Sequence, residues 1–134
     1  MATLVYLPAN FQAGFATISG AIWTRLGTNP GSTATQLATA LGYTEAQVIT
    51  VVEIMTQQYI VTRQYDATGI ACYWRASQYQ DLIIAKIASA RTWVINNSGS
   101  DIALMATNLS VAYGVAKGLA EALQAELSCK VFFT

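Results

Sequence analysis

Histidine is missing altogether from the 134 residues. Its absence removes the usual proton shuttle, the commonest nitrogen ligand for metals, and every Ser-His-Asp or Cys-His catalytic arrangement. Cysteine is limited to Cys72 and Cys129, which lack the paired spacing of a zinc site and are too few for a disulfide framework, so both read as single buried thiols. The acids Glu45, Glu53, Asp66, Asp81, Asp101, Glu121 and Glu126 are scattered, with no adjacent pair of the kind acid–base catalysis uses. The chain reads as a non-enzyme with no cofactor and no metal.

Charge is scarce as well. Charged residues are 10% of the chain, against roughly 25% in an average domain. Seven Lys and Arg face seven Asp and Glu, so the net charge is zero and no overall field draws in polyanions. The first 24 residues, Leu26 to Thr44 and Ile102 to Ala116 carry no charge at all. With hydrophobic residues at 54%, such segments belong to a core or to an interface, and self-association into a homodimer is the first explanation. None reads as a membrane span: the opening run is broken by Pro8, Asn10 and Gln12, and the Ile102 run is shorter than the ~20 apolar residues needed. The expectation is a soluble, cytoplasmic protein without membrane partners.

The length suits one domain, residues 1–134, without room for two independent cores. Within it, residues 10–76 are expected to form the core unit with its first helix, and 77–134 a helical packing and dimerisation region. Thr3 to Leu7 has strand-like composition, and Val131 to Phe133 is apolar enough to dock beside it. From Phe11, capped by Asn10, a helical stripe runs through Phe15, Ile18, Ile22 and Leu26. Gly14 and Gly20 weaken that helix, and close helix contact is one reason for them. The breaker cluster GTNPGS (27–32) has a phosphate-loop look but no lysine, so it reads as a plain turn.

Ser32 to Ala76 (STATQLATALGYTEAQVITVVEIMTQQYIVTRQYDATGIACYWRA) has the clearest plan. Thr33 to Leu41 is a short helix with Ser32 or Thr33 as its cap, Gly42 makes a tight turn, and Thr44 caps a third helix to about Gln58. Val48, Val52 and Met55 mark that helix's core side. Tyr59–Tyr65 and Ile70–Ala76 form a hairpin about Asp66-Ala67-Thr68-Gly69. A helix then follows from about Gln78 to Ile95, and after Asn96–Ser100 a single long helix from Asp101 to about Leu127. Its three-four spacing of Ile102, Met105, Leu109, Ala112, Ala116, Leu119 and Leu123 predicts either a helical hairpin or a dimer seam. Gly114 and Gly118 would let backbones approach on a neighbouring face.

This order resembles the winged helix-turn-helix superfamily, in the manner of MarR-like and PadR-like repressors, over about residues 32–76. The fold class expected is mainly α with a small β-hairpin: a winged core flanked by an N-terminal helix and two C-terminal helices. The resemblance implies a dimeric, DNA-binding transcriptional regulator whose third helix enters the major groove and whose wing touches backbone. Candidate contacts are Thr44, Gln47, Thr50 and Gln57 on the helix, Arg63 and Arg75 on the wing, and Arg25 outside it.

The chain departs from that pattern. Its third helix has no Lys or Arg and carries Glu45 and Glu53; Ile49, Thr50 and Glu53 stand where the family often has basic or hydroxyl groups, and Tyr59 where it often has glycine. Hence the alternative: an adaptor that keeps the fold but binds another protein, as a viral or plasmid accessory factor would. A minor third reading places a ligand cavity between Trp23, Trp93 and Tyr113, although aromatics at helical spacing are more often plain core.

Overall fold

The computed structural model describes residues 9–126, with side chains from 14 onward. The expected strand at Thr3 to Leu7 and the apolar end at Val131 to Phe133 lie outside these residues. Nine elements follow one another: α1 (Ala9–Thr28), β1 (Ser32–Thr33), α2 (Ala34–Leu41), α3 (Glu45–Gln57), β2 (Val61–Tyr65), β3 (Ala71–Arg75), α4 (Ala76–Asn96), α5 (Ile102–Leu109) and α6 (Tyr113–Ala125). The fold is mainly α with a small β-hairpin, and a third strand joins the hairpin to give an antiparallel sheet of order β1-β3-β2.

Local chemistry explains most boundaries. α1 already begins at Ala9, so Asn10 lies inside the helix rather than capping it. Thr33 caps α2 and Thr44 caps α3 through reciprocal boxes with Gln36 and Gln47, each satisfying two backbone donors that a helix start leaves open. Gly42 at φ 76° ends α2 and turns the chain, a conformation that costs glycine little. In the hairpin turn the Asp66 carboxylate accepts from the Thr68 hydroxyl at 2.7 Å and from the Thr68 and Ile70 N–H groups at 2.8 and 3.0 Å.

The hairpin is covered on both faces. Strand side chains alternate, so Val61 and Tyr73 join Ile22, Leu26, Leu37, Val48, Val52 and Met55 in a first core under α1, α2 and α3. On the opposite face Trp74 and the half-buried Cys72 join Ala90, Met105, Val115, Leu119 and Leu123 in a second core under α4, α5 and α6. There are thus two clusters, and they are not independent, because one ribbon supplies a wall to each. Gly114 and Gly118 do not bring helix backbones together. A Cβ at Gly114 would stand 2.7 Å from the Trp74 ring, and one at Gly118 would strike the Tyr79 hydroxyl. Gly14 and Gly20 likewise have open space where close contact was expected.

The long final helix is broken. Ser110 takes a left-handed conformation (φ 55°) and closes α5, Ala112 starts α6, and the two helices bend by 108°. The continuous seam predicted from Ile102 to Leu123 therefore does not exist. Met105, Ala116, Leu119 and Leu123 are buried in the chain's own second core, Ile102 and Leu109 pack against it, and Ala112 is an exposed cap position. Among the described residues no single helix is long and apolar enough to cross a membrane.

Tyr79 links α4 to α6 by donating its hydroxyl hydrogen to the Gly114 carbonyl at 2.8 Å. Burial pushes its pKa up to about 12. The unfolded value is about 10, so the folded state holds the proton more tightly. Stability from this group is complete below pH 10 and is lost as pH rises toward 12. Urea unfolding across that window should show a decline in midpoint that is shallower in Tyr79→Phe.

Candidate functional site: the outer face of the third helix and the hairpin

The exposed face of α3 presents Glu45, Gln47, Ile49, Thr50 and Gln57. Several of these polar groups are already engaged locally. Thr44 Oγ1 accepts from the Gln47 N–H at 3.2 Å, and Gln47 Oε1 accepts from the Thr44 N–H at 3.0 Å. Thr50 donates its hydroxyl hydrogen to the Ala46 carbonyl one turn back at 2.9 Å. Such bonds make a good helix start and a quiet surface, and they leave fewer free side-chain atoms to read base edges.

The three arginines expected to assist this face are not gathered on it. Arg63 of β2 forms an ion pair with Glu53 of α3, half-buried on both sides, and its guanidinium lies 5.6 Å from the centre of the Tyr65 ring. The hydrogen bond to Glu53 holds the Arg63 pKa above its ordinary value. Glu53 also accepts from the Tyr73 hydroxyl at 3.0 Å. Burial, reinforced by that hydrogen bond to Glu53, keeps the Tyr73 phenol protonated well above the usual range.

Arg75 turns inward. Its Nε donates to the Trp23 carbonyl at 2.8 Å, the guanidinium stacks 4.4 Å above the Trp23 ring, and Gly27 makes room for it, since a Cβ there would sit 2.5 Å from Nη2. Arg75 fastens α1 to the sheet. Arg25 lies in the last turn of α1, exposed beside an open groove lined by Asn29, Ser32, Thr35, Gln36 and Thr39. The wing positions thus differ from the expectation: Arg63 is engaged by Glu53, and Arg75 is a strut between elements.

Helical spacing alone does not reveal that Glu53 clamps α3 to the hairpin through Arg63 and Tyr73. The available signal was an acid near the end of α3 and a base shortly into β2, opposite charges on two sides of a short connection. Exposed apolar groups are the other feature of this region. Ile49 on α3 and Ile60 after it are exposed, and Tyr59 between α3 and β2 is 89% exposed at φ 60°. A non-glycine residue in that conformation costs about 1 kcal/mol or more.

Glu53→Gln is expected to lower the unfolding free energy by about 1 kcal/mol, because a solvent-screened ion pair is worth little while the Tyr73 hydroxyl keeps an acceptor. Urea unfolding at two salt concentrations checks this. A loss several times larger would mean that the Arg63 charge is left stranded.

The aromatic cavity does not assemble. Trp23 packs against the first core and Trp93 against the second, on opposite sides of the sheet. Among the described residues there is no cluster of three or more acidic or cysteine side chains that could hold a metal ion. Compared with known proteins, the chain matches no family model, and neither a curated relative nor a similar solved structure was found.

Proposed function

We propose that this protein is a protein-interaction adaptor: a winged-helix-like frame in the cytoplasm whose α3 face and α3–β2 connection dock on another protein rather than on DNA. One observation carries the reading. Arg63 is held by Glu53 and Arg75 by Trp23, so among the described residues both arginines of the hairpin are already engaged. Firm duplex binders make roughly six to ten phosphate contacts. A Glu beside a phosphate repels it. The exposed Ile49, Tyr59 and Ile60 fit a protein partner better, since interface cores favour aromatic and apolar side chains over charge.

A second reading, a dimeric DNA-binding regulator, is favoured by the element order itself: helix, strand, helix, tight turn at Gly42, helix, hairpin. The two readings separate in a duplex-binding titration by fluorescence anisotropy at about 50 mM salt. The adaptor reading expects no affinity for random duplex at about 10 µM protein. Micromolar binding that weakens steeply with salt, and that Arg25→Ala and Arg63→Ala each reduce, overturns it in favour of the regulator.

A further inference from the structure

Among the described residues the longest helix, α4, packs only one side of itself against the second core. Tyr79, Ile83, Ile87, Ala90 and Val94 face the second core. On the other side Ile84 is 64% exposed and Ile95 is 71% exposed. At about 100° per residue these two positions fall within about 20° of each other, with Ala88 between them on the same stripe. Ser77, Ala85 and Thr92 keep the remainder of this side small and uncharged. A charged residue stands toward each end. Asp81, near the start, has no ion pair or hydrogen bond among the described residues. Arg91, near the end, holds both carboxylate oxygens of Glu126, through Nε at 3.0 Å and Nη2 at 2.8 and 3.1 Å, which leaves the Nη1 hydrogens outside that pair.

We propose that two copies of this chain associate through α4, antiparallel about a two-fold axis passing near position 86. The argument is charge complementarity combined with shape. An acid toward the N-terminal end of a helix and a base toward its C-terminal end complement each other only when the second helix runs the opposite way. Reversal about position 86 sets Asp81 against the partner's Arg91. The same register sets Ile84 on the partner's Ala88, a large side chain against a small one, and lays Ile95 over the partner's Ser77. One axis thus satisfies the charged pair and the apolar pair together, and it occurs twice by symmetry. Because the α3 face takes no part, this association is independent of what α3 binds.

The test is sedimentation velocity of the full chain over about 1–100 µM. The wild type should show a concentration-dependent monomer–dimer equilibrium. Ile84→Glu should remain monomeric throughout while keeping the wild-type melting temperature measured at low concentration, since this side chain faces solvent in the protomer. Asp81→Arg and Arg91→Asp should each weaken self-association about tenfold, and an equimolar mixture of the two should recover it as a heterodimer, because every 81–91 contact is then again between opposite charges. A wild type that stays monomeric, a dimer unaffected by Ile84→Glu, or variants that fail to recover on mixing would each overturn the proposal.

Discussion

Trp74→Ala is expected to lower the unfolding free energy by about 3–5 kcal/mol, the range for deleting a large aromatic from a packed interior. Trp74 is 2% exposed, and its ring abuts Gly31 and Gly114, where an added Cβ would lie 3.2 and 2.7 Å away. It also meets Tyr79 at 5.2 Å between ring centres, tilted by 58°. Residues on α4, on α6 and in the turn before β1 crowd this one ring, so little can collapse into the space it leaves. Trp74 is paired with Thr62 across the hairpin, while its strand neighbour Tyr73 points into the first core. The loss should therefore fall mainly on the second core and loosen its coupling to the first. Urea unfolding followed separately by far-UV circular dichroism and by fluorescence of the remaining tryptophans should lose its coincidence. A loss below about 1 kcal/mol with coincident transitions would mean that the ring is not the keystone described.

Leu119→Ala is expected to cost about 2–5 kcal/mol, and to cost it at every protein concentration. Leu119 is fully buried within the protomer, as is Leu123 one turn on. A residue at a dimer seam would behave differently: its replacement would shift the association constant and leave the monomer's stability nearly intact. Thermal melts at low and high concentration separate these outcomes. A midpoint that drops only at high concentration would return Leu119 to an interface.

The parts of this fold that were legible in the sequence are those governed by neighbours along the chain. The caps at Thr33 and Thr44, the glycine turn at Gly42 and the Asp66–Gly69 hairpin turn all rest on contacts within a few residues, and all stand where spacing placed them. What could not be read depends on distant partners. β1 is a two-residue strand that exists only because β3 comes back to pair Ser32 with Tyr73 and Thr33 with Cys72. The break at Ser110 carries neither glycine nor proline, so the three-four spacing ran straight through it. The bend lets Met105 from one helix and Leu119 from the next reach a common core, a tertiary gain that outweighs a left-handed serine. On the candidate surface, residue type identified α3 as lacking cations. Only the meeting of α3 with the hairpin revealed that Glu53 silences Arg63, and only the approach of α1 revealed that Arg75 is a strut.

A ribbon walled in on two sides also dictates how the polypeptide must mature. Synthesis proceeds from the N-terminus, so the ribbon and α1 to α3 emerge before α6 exists. Throughout that interval the underside bearing Cys72 and Trp74 has nothing to cover it. A nascent or truncated product ending near Ala76 would expose an oily strand face of the sort that recruits chaperones or seeds aggregates. Either half, cut away from the other, would lose one of the two clusters that the ribbon now separates.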